Sequence, residues 1–313
     1  MALARDVSEL TSDRRLRSMR SAAGGFLFTV PALVLLTIFL VYPVFETIRL
    51  SLDTGIFLQL QKFVGLDNYK RLFSDPYFLS LVGVPSGALV NNALWLTLYV
   101  GGCVGMGLLI AVLADKVLYE PFVKIVLFAP LSIAATATGL IWLLMYAPNP
   151  NIGVINGLLS QFGIGPIGFL GSPGLVNFAI IIAAIWSGCG LAVVVLSAGV
   201  KSIPRDILEA ARIDGATPFQ EFRLIVLPMM IGPLTVVTVT LLVAAIKTFD
   251  IVFVMTRGGP NGASSVIGYV FYDQVFQRGR GGYGASAAVL MLVLVLPIMV
   301  FSIRQFRLEE SRR

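Results

Sequence analysis

Six long apolar runs, at about 24–45, 89–114, 122–146, 175–199, 228–254 and 285–303, constrain this chain more than any other feature. A helix that crosses a bilayer needs about 20 mostly apolar residues, and charge is scarce inside each run. A water-soluble fold could not hide so much apolar surface: hydrophobic residues make up 57% of the 313, charged residues 13%, and mean hydropathy is +0.88. The expectation is an all-α integral membrane protein with six transmembrane helices. A barrel would instead show alternating segments of about ten residues. Pro130, Pro228 and Pro233 lie near the ends of the third and fifth runs, where a bundle supplies other partners for freed carbonyls.

Lysine and arginine placement sets the orientation. With both termini in the cytoplasm, 15 of the 23 basic residues fall inside, seven fall outside, and Lys247 lies within the fifth run. The chain then divides into a basic cytoplasmic tail at 1–23, a transmembrane domain at 24–303 and a cytoplasmic tail at 304–313. The first run is too long for a cleaved signal sequence and reads as a retained span. The net charge of +6 reflects this topology and anionic lipid headgroups, and needs no nucleic acid to explain it.

The absence of histidine excludes Ser-His-Asp and Cys-His nucleophiles, zincin motifs and Cys/His zinc sites, leaving no expected catalytic residue or metal site. Cys103 and Cys189 sit in apolar runs and read as buried free thiols. No Gly-Lys dipeptide occurs, so the chain has no G-x-x-x-x-G-K-[ST] phosphate loop of its own.

The cytoplasmic loop at 200–227 carries local signals of its own. Ser202 is a candidate N-cap, Pro204 suits a first helical turn, and Arg205 to Ile213 forms a short helix. Gly215 is placed to end that helix in the left-handed conformation. Thr217 and Gln220, three apart, open a second helix with a capping box. Ile207, Leu208 and Ala211 share one side of the first helix, which suits either a partner's groove or the headgroup layer. Elsewhere, Asp67 can cap a short amphipathic helix with apolar contacts at Tyr69, Leu72 and Phe73. The stretch 147–174 reads as turns. Asn91 and Asn92 read as caps of the second span, and Gly101 and Gly105, with Gly107 following, as a close-packing G-x-x-x-G.

Glu209-Ala210-Ala211, Asp214-Gly215-Ala216 and Ile225-x-Leu227-Pro228 together resemble the EAA loop of ABC-importer permeases, the membrane subunits of binding-protein-dependent transport systems. Tyr42-Pro43, Phe63 to Tyr69, Thr248-Phe249-Asp250, Arg257-Gly258-Gly259-Pro260 and Gly282 to Ala287 are similar to the branch importing sugars and related solutes, as in maltose and glycerol-3-phosphate permeases. The resemblance implies a type I ABC-importer permease fold in a bacterial cytoplasmic (inner) membrane. It implies that Glu209, Ala210, Ala211, Asp214, Gly215 and Ala216 form a coupling helix and bend seated in a cytoplasmic ATPase. Energy would come from two copies of that separate subunit, which bind ATP and magnesium while this chain binds no cofactor. An extracytoplasmic solute-binding protein and a second permease, a different chain, complete the implied assembly alongside membrane lipid.

The same resemblance carries a solute pathway onto Trp186, Ser187, Gly188 and Leu191 in the fourth span and Leu241, Ala245 and Thr248 in the fifth. Lys247 and Asp250 join them as ionisable residues at membrane depth, either facing the solute or pairing with each other at i, i+3 on one helix. Trp142 and Trp186 read as walls of that path or as packing. Two other classes stay open: a permease of the same machine for a polyamine, phosphate or iron, and an ion-coupled secondary carrier.

Overall fold

The computed structural model describes residues 29–55, 62–80, 87–114 and 119–310. The basic tail, the start of the first run and Lys116 lie outside them. The chain divides into two units between Leu50 and Ser51. The described part of the first unit belongs to helix α1, Thr29–Ser51. Its large side chains, including Leu33, Phe39, Leu40, Tyr42 and Phe45, are exposed. A helix apolar all round is at home in lipid rather than water. α1 continues six residues past the expected end at 45. Glu46 and Arg49 pair at i, i+3 with 2.6 Å between charged atoms, so the helix carries both charges without leaving either alone.

The second unit begins with α2, Asp67–Ser74. Asp67 is not its cap: the N-cap is Leu66, and Asp67 sits inside the first turn, ion-paired to Lys70 at 3.1 Å. Leu72 is buried and Phe73 is exposed, while Asn68 donates to the carbonyls of Ser51 and Asp53 at 2.9 and 2.8 Å. α3, Ala88–Ala114, matches the second run closely.

The third run is not one helix. α4, Glu120–Phe128, passes through a tight turn at Ala129–Ser132 into α5, Ala135–Met145, and the axis bends by 103°. Pro130 brings no N–H to the helical ladder, and Ile133 turns extended after it. The stretch expected to hold only turns contains α6, Val154–Gln161. It is organised by buried Asn156, whose amide donates to the Ala147 carbonyl at 2.9 Å and accepts from the Ile167 N–H at 2.8 Å.

α7, Val176–Lys201, is the most buried long helix among the described residues. It packs against α3, where a methyl group on Gly107 would lie 2.5 Å from the Ala192 Cβ. Gly102 meets Ile185 as closely. The close-packing glycines are therefore Gly102 and Gly107; Gly101 and Gly105 face open space in this chain, one helical face away. Cys103 and Cys189 are buried free thiols, as expected.

After α7 come α8, Arg205–Ile213, and α9, Pro218–Met229, which bends by 69° into α10, Ile231–Ile246. Pro233 has no N–H to return to the carbonyl four residues back, and Met230 takes up the bend. The fifth run is thus interrupted at Met230 and ends at Ile246; Asp250–Met255 is a separate helix, α11. α12, Ile267–Tyr272, follows the intervening loop, and α13, Gly281–Glu310, carries the last run through the expected boundary at 303. Among the described residues four helices are long and apolar enough to cross a membrane, and up to six spans result if each bent pair counts as one. The described residues form helices and irregular connections, with one isolated bridge between Asp53 and Phe63.

Candidate functional site

α8 and the start of α9 form a helical hairpin whose geometry follows from its own residues. The N-cap of α8 is Pro204, and Ser202 instead finishes α7, its hydroxyl donating to the Gly199 carbonyl at 2.7 Å. At the other end Gly215 has φ +83°. The Ala216 N–H reaches the Ala211 carbonyl at 2.9 Å and the Gly215 N–H reaches that of Arg212 at 3.1 Å, the paired bonds of a Schellman motif. Thr217 and Gln220 close the capping box: the Thr217 N–H donates to the Gln220 side chain at 2.8 Å, and the Gln220 N–H donates to the Thr217 hydroxyl at 3.3 Å. Arg212 then clamps the two helices with a two-pronged pair to Glu221 at 2.8 and 2.9 Å, which raises the guanidinium pKa above its usual value.

The hairpin presents apolar side chains to the outside. Ile213 is 86% exposed, Phe219 67% and Leu224 68%, while Leu208 and Ala211 are half-buried. Glu209 is exposed and lines a cleft of about 550 Å³ together with Glu120, Lys201, Arg205 and Arg212. Glu120 binds both Lys124 and Lys201, the latter at 2.8 Å, and so ties the start of α4 to the end of α7 at the cleft that Glu209 also lines.

The residues expected along a solute pathway do not form one wall. Trp186 is partly exposed and meets Trp142 edge-on, with ring centres 5.9 Å apart. Ser187 turns its hydroxyl back to the Ala184 carbonyl at 3.1 Å, and Leu191 is half-buried. Gly188 is filled over by Tyr99, whose phenolic oxygen would lie 2.5 Å from an added methyl. Leu241 and Ala245 are packed inside the subunit. Thr248 is half-buried, its hydroxyl bonded to the Ala244 carbonyl at 3.2 Å. Lys247 and Asp250 are both exposed, lie on either side of the break after Ile246, and make no ion pair with each other among the described residues. A shared helical face was the basis for pairing them, and the break removes it.

Asn92 reaches this break from α3. Its amide donates to the Ala245 and Ile246 carbonyls at 3.3 and 3.4 Å, and its carbonyl accepts the Ile267 N–H at 2.8 Å. One buried side chain thus serves the end of α10 and the start of α12. Asn91 donates to the Ala263 and Ser265 carbonyls at 2.8 and 2.7 Å, and Asn177 joins it at 3.0 Å. These asparagines clamp other segments rather than capping the helices they belong to. Their signal in the sequence was only an amide pair beside an apolar run.

The description "binding-protein-dependent transport system inner membrane component" matches residues 10–309. The osmoprotective compounds uptake permease protein GgtC of Synechocystis sp. is 40% identical over 92% of this chain and 100% of its own length. The trehalose/maltose transport system permease protein MalF of Thermococcus litoralis is 32% identical over 93% of this chain and 96% of its own. A bacterial ABC transporter chain involved in import of the acidic polysaccharide alginate superimposes with a TM-score of 0.76 at 24% identity, over 93% of this chain and 99% of that one. With this match over most of its length, the chain belongs to the family of inner-membrane components of binding-protein-dependent transport systems.

Proposed function

We propose that this protein is one permease subunit of an ATP-driven importer for a sugar, glycoside or related polyol. In this reading six spans cross a bacterial cytoplasmic membrane with both termini inside, each bent pair counting as one span. The observation that carries it is the α8–α9 hairpin: a rigid clamp between Arg212 and Glu221, a left-handed joint at Gly215, and exposed Ile213 and Phe219 beside Glu209. Apolar side chains on a short polar hairpin gain most from a protein groove. The groove belongs to a cytoplasmic ATPase, which holds the ATP and magnesium. A different permease chain and an extracytoplasmic solute-binding protein complete the machine. Of the pathway candidates, Trp186, Ser187, Leu191, Lys247, Thr248 and Asp250 keep exposed surface that a solute could meet.

The names of relatives support the cargo class. Besides the trehalose/maltose permease, the alpha-glucoside transport system permease protein AglF of Rhizobium meliloti is 36% identical over 91% of this chain and 83% of its own. The test is to purify the tagged chain in detergent, ask whether an ATPase accompanies it, and measure hydrolysis with the cognate binding protein and a panel of sugars. Absence of an ATPase from the intact complex overturns the importer reading. Stimulation by a polyamine or phosphate, and by no sugar, overturns the cargo alone.

A further inference from the structure

At the end of α7 remote from the α8–α9 hairpin, the loop after α11, the segment Asp75–Phe78 that follows α2, and α12 with the residues after it line a second cleft, of about 440 Å³. That volume is within the range of small-molecule sites. Tyr77 and Tyr269 stand on its walls, each laid against loop glycine: a methyl on Gly262 would come within 2.8 Å of the Tyr77 ring, and one on Gly258 within 2.6 Å of the Tyr269 ring. The loop itself holds two non-glycine residues in the left-handed region, Arg257 at φ +49° and Asn261 at φ +50°, and both line the cleft. Such conformations persist only where the surroundings over-determine them, and they concentrate at binding sites.

The polar groups are planar and mixed in sign. Arg257 is exposed and has no ion-pair partner among the described residues. Asp75 accepts from the Tyr77 N–H and from the Tyr283 hydroxyl at 2.9 Å each, which fixes its carboxylate at the rim. Gln274 lines the cleft and is only 8% exposed; its Nε2 donates to Asp273, but its Oε1 has no partner among the described residues. A buried amide oxygen without a donor is costly; it lies behind the cleft surface, and a ligand hydroxyl satisfies it once the Gln274 side chain turns into the cleft. Two aromatic faces, a guanidinium, a carboxylate and an unsatisfied amide suit a ligand with C–H faces and many hydroxyls, whose groups both donate and accept. A simple anion would meet the fixed carboxylate.

We propose that this cleft is a binding subsite for a hydroxyl-rich solute such as a disaccharide or polyol, separate from the pathway residues of the spans. The ligand class agrees with the importer reading, but the cleft is argued from its own geometry.

The test uses the purified complete complex in lipid nanodiscs without binding protein, and reads backbone hydrogen exchange with trehalose, sorbitol or glycine betaine. Trehalose or sorbitol is expected to slow exchange in 257–265 and 269–278, by about elevenfold at ten times Kd if opening exposes the unbound state. Betaine, which has no hydroxyl, is expected to leave it unchanged. Gln274→Leu is expected to abolish the protection, and Tyr77→Ala, at an exposed position, to weaken it while leaving assembly intact. If neither hydroxylated probe slows exchange, or betaine does so equally, the proposal is wrong. If the segment is protected only by added solute-free binding protein, the cleft is a docking surface and the proposal is again wrong. Failure of the complex to hydrolyse ATP in response to any sugar, with protection by trehalose intact, would instead strike the importer's cargo and leave the subsite standing.

Discussion

Replacing Gly215 by valine should uncouple transport from ATP hydrolysis without unfolding the protein. A side chain there meets nothing within 4 Å, so the penalty is conformational rather than steric. The residue sits at φ +83°, where an L-residue with a Cβ costs about 1–2 kcal/mol and a β-branched one is a genuine outlier. The backbone can escape by leaving the left-handed region. It then loses the Ala216-to-Ala211 and Gly215-to-Arg212 hydrogen bonds, worth about 0.5–1.5 kcal/mol each. Either route places the clamped hairpin about 2 kcal/mol higher, which lowers its population relative to open forms by up to about thirtyfold. Gly215→Asn is the matched control, because asparagine tolerates this conformation. The assay is sugar-stimulated ATP hydrolysis by the reconstituted complex, with thermal melting of the same sample to show that the spans remain folded. The expected order is glycine, then asparagine, then valine, at nearly constant melting temperature. Equal stimulation in the valine and glycine proteins would refute the claim that this joint transmits force.

Asn92→Leu should destabilise the folded permease by about 2–4 kcal/mol, because the Ile267 N–H and two helix-end carbonyls stay buried without their partner; an unchanged melting temperature in detergent would count against the clamp. Lys247→Met should leave complex stability unchanged and impair uptake, since no ion pair is lost; a stability loss rescued by Asp250→Asn would restore the pairing that the break at Ile246 argues against. A cysteine at Asn261 should react with an impermeant maleimide added outside intact spheroplasts, the left-handed site costing such a residue about 1 kcal/mol locally. Labelling only after lysis would invert the orientation.

Local signals were legible and remote ones were not. Arg205–Ile213 emerges with the expected bounds because Pro204 starts it, Gly215 ends it, and Thr217 with Gln220 restarts the chain, all within a few residues. The second and fourth runs match α3 and α7 to within two residues for a similar reason: uninterrupted apolar sequence has no alternative to a helix in lipid. Hydropathy is blind to direction, so the 103° turn near Pro130 and the end of α10 at Ile246 passed as continuous spans. Both proline and lysine marked those places, but the break at Ile246 is held by Asn92, more than 150 residues earlier in the chain. The same holds for the expected pathway. Position along a helix identifies Gly188, whereas the phenol of Tyr99 that covers it comes from another helix.

The glycine contacts around α7 have a mechanical consequence. Besides Gly102 and Gly107 on α3, Gly190 of α7 comes so near the backbone of α4 that a methyl would lie 2.7 Å from the Leu127 carbonyl oxygen. Gly199 meets Met230 and Pro233 at 2.8 Å in the same sense, at the bend between α9 and α10. The helix is therefore keyed on several sides, like a shaft cut with slots, and sliding by even one residue, about 1.5 Å, would drive side chains into backbone. It can travel with its collar of neighbours but not slip inside it. Lys201 lies three residues before the hairpin's N-cap, and Asn177 sits at the far end of the same helix, about 36 Å away by the rise per residue. A push on the hairpin thus reaches the asparagine cluster as movement of a whole block, with little opportunity to be absorbed on the way.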